Sequence, residues 1–446
     1  MTIFYIKAGV TPAMNNSFPL QTSSATAFVW VNESEVESAL LKARFYIEKA
    51  SWRIETLESV DIVKRDMFQG KDIEQAKYDE AVLEGIALFY VGVNEQLEAP
   101  EYVELSGGAD QDKKLFYGKK KNISNRKECL HFGANEDCDQ IIKAHSIQRR
   151  QSLEAIERKG HVYQVDFDAL SKTGRITYNL IGINKASTFY GFCKKHDNAL
   201  FKDIDEKHLM PNHKQAMLYA YRSLTKEVFT KQSTISMLKA QIESFPKQCA
   251  EAELARNMLN GMEYGLEALS KIKAYYDESL VKETYDDISY IAFYCKEEPV
   301  AAFSGLIYPD FDFQGRPLQN LDGSTNKLSL VTYCSAPMGD GWCFLFAWHK
   351  SCEKIARNYM GSVAQLMKSD RILGDALFNL VILNCENHAF SPDWWEGLEP
   401  SLKTNICEAM NKQADVLSVL NHDYLTSEIN GIASWVFESV YDSHSL

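Results

Sequence analysis

Two short runs of metal-type ligands constrain this chain more than any other feature. The first is Cys129-Leu-His-Phe-Gly-Ala-Asn-Glu-Asp-Cys138 and the second is Cys193-Lys-Lys-His196. A zinc ion takes four sulfur or nitrogen ligands in a tetrahedron and commonly draws two from each of two loops far apart in sequence. Cys129, Cys138, Cys193 and His196 form such a Cys₃His set. The second pair has the short spacer usual for these loops and predicts His196 in the first turn of a helix. The first pair is wider, with eight residues between its cysteines. The remaining cysteines (Cys249, Cys295, Cys334, Cys343, Cys352, Cys385 and Cys407) sit mostly in apolar or helical patterns and read as reduced core residues.

A chain of 446 residues exceeds one ordinary core, so about two to four domains are expected. The pattern is α+β and multidomain. Residues 1–100 alternate strand, helix, strand, helix, strand, which suggests a ferredoxin-like unit. Residues 101–128 form a basic linker. From Lys113 to Lys127 there are seven basic residues and no acidic one, on a chain of net charge −13. Such a local basic face suits phosphate contact, although a charge run is also compatible with a solvated loop. Residues 129–211 hold the ligand pairs, a short helix ended by Gly160, and two strand-like runs joined by Ser171-Lys-Thr-Gly174. Residues 212–285 read as a helical hairpin with apolar stripes (Met217, Leu218, Tyr221, Leu224, Val228, then Leu254 to Leu269). Residues 286–446 begin with closely spaced strands and end in helices, an antiparallel sheet covered on one face.

Taken together, Cys129…Cys138…Ala-His145-Ser…Cys193-x-x-His196-Asp197 resembles the treble-clef zinc scaffold of the HNH endonucleases. The resemblance covers residues 129 to about 201. It implies a metal-dependent endonuclease: His145 falls at the water-activating histidine, Asp197 where a residue holds a catalytic Mg2+ or Mn2+, and Asn184 in the loop that orients the site. Lys119, Lys120, Lys121, Arg126, Lys127, Arg149 and Arg150 are the expected nucleic-acid contacts, with DNA in preference to RNA. His145 lacks the adjacent histidine or acid of many family members, since Ala144 and Ser146 flank it. A nuclease centre among accessory domains also resembles bacterial defence effectors directed at foreign nucleic acid. The rival reading is a non-catalytic zinc-stabilised scaffold that binds protein partners through its terminal domains, with the helical pair as a partner or homo-oligomer surface. No window approaches a membrane-spanning apolar run, and the Met-Thr-Ile-Phe start lacks the pattern of a secretory signal, so a cytoplasmic protein without membrane attachment is expected.

Overall fold

A computed structural model describes residues 2–12, 22–50, 52–69, 71–94, 126–134, 136–166, 176–244, 250–321, 327–367, 370–414, 422–432 and 435–444. Most of the expected linker, including Lys119, Lys120 and Lys121, lies outside the described residues. The chain divides into two compact units, residues 1–121 with 235–263, and residues 122–234 with 264–446. The division falls within both long helices. No helix among the described residues is long and apolar enough to cross a membrane.

The first unit contains β1 (Thr2–Pro12), β2 (Thr22–Glu33), α1 (Val36–Lys49), β3 (Trp52–Val63), α2 (Asp72–Glu84) and β4 (Ile86–Asn94). The strands form an antiparallel sheet in the order β3-β1-β2-β4. Period-two alternation splits β1 between two cores: Phe4, Ile6, Ala8 and Val10 share one cluster with Ala39, Ala43 and Ile47 of α1, while Ile3 joins Trp30, Phe68 and Ala81. Gly85 takes the left-handed conformation (φ 80°) that ends α2. This connectivity differs from the ferredoxin-like expectation. The chain opens with the β1–β2 hairpin, and β1 lies between β2 and β3. The Ile-Phe-Tyr-Ile-Lys run that forms β1 alternates, but it precedes the first recognised turn signals.

The second unit is organised by an eight-stranded antiparallel sheet in the order β14-β9-β12-β11-β10-β13-β6-β7. Its members are β6 (His161–Asp166), β7 (Thr177–Gly182), β9 (Ile288–Cys295), β10 (Ala301–Ile307), β11 (Val331–Met338), β12 (Gly341–His349), β13 (His388–Phe390) and β14 (Ser439–Asp442). Two further strands, β5 (Ile141–His145) and β8 (Thr188–Cys193), pair separately. The longer helices of this unit include α3 (Lys194–Asp205), α6 (Glu353–Leu366), α7 (Asp370–Asn384) and α8 (Pro400–Ala414), while α4 (His213–Ser244) and α5 (Ala250–Lys282) each contribute residues to both units. A large sheet near the C-terminus with helices was expected. The sheet also takes in the hairpin β6–β7, so segments 129–211 and 286–446, expected as separate domains, share it. They share a core as well, in which Phe192, Phe201, Tyr221, Phe303, Trp348 and Trp435 belong to one buried cluster.

The splice between the two segments is β13, only three residues long. It pairs with β10 through Phe303↔His388 and with β6 through Tyr163↔Phe390. His388 is fully buried there. Its Nδ1–H donates to the carbonyl of Cys385, and its Nε2 accepts from the Tyr178 hydroxyl on β7 at 2.6 Å. Burial pushes its pKa from 6.5 down to about 4, because the ring is desolvated and both nitrogens are committed in the neutral form. The adjacent tryptophans of the Ser391-Pro-Asp-Trp394-Trp395 turn anchor the same place, with Trp395 stacked on Phe390 at 5.6 Å.

A pH dependence follows. The unfolded chain protonates this histidine at its ordinary value, so its contribution to stability is whole above pH 6.5 and is lost as pH falls toward about 4. The full loss is on the order of 3 kcal/mol. Urea unfolding of His388→Gln should show lower stability at pH 7.5 and a shallower decline between pH 6.5 and 4 than the wild type. Parallel pH profiles for the two proteins would contradict this account.

Candidate metal centre and adjoining cavity

The four sequence-distant ligands meet because backbone hydrogen bonds wrap the 126–140 loop around the β8–α3 junction. Glu128 N donates to Tyr190 O (3.1 Å), Leu130 N to Gly191 O (2.9 Å) and Lys194 N to Gln140 O (2.9 Å). Asp139 Oδ1 accepts from Lys195 N at 2.9 Å. Cys193 ends β8 and caps α3, its Sγ accepting from His196 N at 3.4 Å. The four ligand atoms all lie within 4.8 Å of one another. His196 Nδ1 is 3.5 Å from the sulfurs of both Cys129 and Cys138. A tetrahedral zinc with bonds near 2.3 Å has ligand–ligand edges of roughly 3.7 Å, so the set fits a metal such as zinc with little adjustment. Burial pushes the Cys129 thiol up to about 11. A bound cation opposes that shift, because thiolate is the ligating form. His131, which sequence reasoning passed over, stacks on His196 with ring centroids 4.0 Å apart and planes 7° from parallel.

Beside this centre lies a cavity of about 570 Å³, lined in part by His145, Gln148, Arg149, Arg150, Asp197 and Arg222. His145 is the last residue of β5. Its Nε2 is 3.0 Å from the carbonyl of Ile183, an acceptor only, so the ring proton sits on Nε2. Burial pushes the His145 pKa below its ordinary value. The ring is therefore neutral at pH 7 and its Nδ1 is a lone-pair acceptor, able to take a proton. Asp197 directly follows His196, so a metal at the centre would fix the start of the helix that carries it. Its Oδ1 is buried without a hydrogen-bond partner among the described residues, and burial pushes the carboxyl up to about 6. Such an oxygen is suited to a hard cation. Gln148, 4% exposed, donates through Nε2 to Ile204 O at 2.6 Å, and its own Oε1 has no partner among the described residues.

Arg149 and Arg150 are exposed on this cavity, and Arg149 is 3.6 Å from Glu154. Asn184 is exposed in the turn after Ile183 and does not line it. Arg126 is committed elsewhere, with Nη2 2.6 Å from Gln232 Oε1 and its guanidinium 4.7 Å over the Phe229 ring. The Lys127 ammonium lies 5.6 Å over Tyr190. Sequence reasoning missed Gln148, Asp205 and Arg222. For Arg222 a signal existed: it falls four residues after Leu218, on the buried stripe of α4, where a charge needs a reason.

Purified protein should carry close to one zinc-class ion per chain by elemental analysis. Chelation, or Cys193→Ser, should lower the thermal midpoint and remove the metal together, since metal binding and folding are coupled at such centres. Metal-free protein of unchanged stability after purification without chelators would sink the centre. No family model matches the chain, and no similar curated protein or solved structure was found.

Proposed function

We propose that the cavity cleaves phosphodiesters in nucleic acid, in the manner of the HNH endonucleases, beside a structural zinc held by Cys129, Cys138, Cys193 and His196. One observation carries the reading. A neutral histidine with its Nε2–H tied to a backbone carbonyl shares a cavity with a carboxylate whose buried Oδ1 has no partner among the described residues. His145 acts as general base. Its Nδ1 takes a proton from water as the water oxygen bonds to phosphorus. The ester P–O bond breaks, and the leaving oxygen takes a proton from solvent, giving one phosphomonoester end and one hydroxyl end. The carbonyl of Ile183 orients the base, a role that the resemblance gave to Asn184. A Mg2+ or Mn2+ ion held by Asp197 would supply the positive charge that offsets the charge building on the phosphate. Arg149 and Arg150 at the rim position the backbone through phosphate contacts, which carry no sequence information.

His145→Ala should lower Mg2+- or Mn2+-dependent cleavage about 10²- to 10⁴-fold, the usual worth of a general base, with zinc content and thermal midpoint nearly unchanged. Asp197→Asn should act likewise and abolish the dependence on divalent ion. If His145→Ala instead releases zinc or collapses the fold, the histidine is a structural group and the scaffold reading stands. Arg149→Glu with Arg150→Glu should weaken binding to unrelated DNA sequences alike and flatten the salt dependence by about one unit of slope for each arginine withdrawn from a phosphate. Unchanged binding by electrophoretic mobility shift across a salt series would remove these residues from the interface.

A further inference from the structure

The long helix α4 brings a buried guanidinium to the wall of this cavity. Arg222 is 3% exposed, yet it lines the same space as His145 and Asp197. Three contacts fix it. Its guanidinium carbon lies 4.0 Å from the centre of the Phe201 ring. Nη1 and Nη2 each donate to Asp205, both at 2.8 Å. Its Nε–H is left without a partner among the described residues.

A charged donor in this position is costly to leave unsatisfied. It is also always protonated, and with both Nη groups on Asp205 its remaining Nε–H can donate to a phosphate oxygen. The surroundings favour an anion. The cavity lining includes Lys143, Arg149, Arg150, Lys202 and Arg222 against the carboxylates of Asp197, Asp205 and Glu206. Neither Lys202 nor Arg150 has an ionic partner among the described residues. Asp205 is partly exposed, its side chain at 37%, so water screens its hold on the guanidinium.

We propose that Arg222 is the anion-binding residue of this cavity, holding a phosphate oxygen through its free Nε–H, with Phe201 as the positioning residue and Asp205 as the carboxylate against which the anion competes. That the anion is phosphate rests on reading the cavity as a phosphodiester site. The long helix thus supplies a group that lies outside the ligand-bearing segment. The competing explanation is an ion pair that only staples α3 to α4. The two differ in their response to free anion.

The test uses the full chain, with inorganic phosphate as probe at constant ionic strength made up with potassium chloride and without divalent ions. Phosphate should raise the thermal midpoint saturably in the wild type and in His145→Ala alike. Arg222→Lys, which keeps the charge but loses the guanidinium Nε–H, should weaken the apparent phosphate affinity about tenfold or more. Asp205→Asn removes the competing carboxylate and should tighten it severalfold. No saturable effect in the wild type, or equal affinity in Arg222→Lys, overturns the proposal. Should Arg222→Lys fail to fold, Asp205→Asn decides, and affinity that is unchanged or weaker overturns it. Cleavage that depends on His145 alongside phosphate binding indifferent to Arg222 would remove this proposal alone. Intact phosphate behaviour without any His145-dependent cleavage would remove the nuclease reading alone.

Discussion

Cys193 stands at a hinge of two kinds of order. It is the last residue of a strand and the cap of a helix, and its sulfur is one of four ligand atoms gathered within 4.8 Å. Neither strand nor helix end is stable alone, since a helix start leaves its first N–H groups without internal partners. Here the Cys193 sulfur accepts the N–H of His196, and Asp139 accepts that of Lys195. The loop that supplies Asp139 also carries Cys129 and Cys138 and is anchored by the backbone bonds of Glu128, Leu130 and Gln140. A cation held by these four ligands would add to the hydrogen bonds that already set the start of α3. Asp197, Phe201 and Asp205 all ride on that helix.

What could be read in the sequence, and what could not, follows from the range of the interactions. The ligand spacing was legible because each pair is local, and the helix after Cys193 because capping is local. The stripe Met217, Leu218, Tyr221, Leu224 and Val228 was legible because a 3.6-residue period shows within any short window, and all five are buried. The large sheet was legible only in part. Its extension through His388–Phe390 depends on three residues, too few to show any alternation, and on pairing with Tyr163 and Gln164, more than two hundred positions away. The pairing of β1 with β2 and β3 was missed for a different reason: β1 alternates well, but alternation marks a strand and not its partners.

The range of an interaction also separates the residues of the cavity. His145 and Asp197 stood out because they flank the ligand pairs. Arg222 and Gln148 reach the cavity through tertiary packing, and a single residue type carries no trace of that. Two serines next to these residues show how the walls are joined. Ser146 Oγ lies 3.2 Å from Ser304 Oγ, and Ser223 Oγ lies 2.8 Å from it. Asn387 Nδ2 donates to Ser146 Oγ at 3.1 Å and to Ser304 O at 3.0 Å. This buried hydroxyl cluster ties strand β5, helix α4 and the large sheet together one residue away from His145 and from Arg222. Polar groups paired in this way specify a geometry more strictly than apolar contacts can, because a misplaced partner leaves a buried donor or acceptor unsatisfied.

The three-residue splice at His388–Phe390 also has a meaning in time. A ribosome adds residues at about 5–20 per second, so the β6–β7 hairpin emerges on the order of ten seconds or more before the strand that receives it. Until then, the edge of β6 that β13 later covers is an open row of backbone donors and acceptors, and Asn387 is not yet present to join Ser146 and Ser304. The packing behind the cavity is therefore completed only after residue 388 has been made, although every lining residue precedes it. Every nascent chain passes through an interval in which the four candidate ligands are all present but the support beside them is unfinished. A chain stopped short of residue 388 would stay in that state.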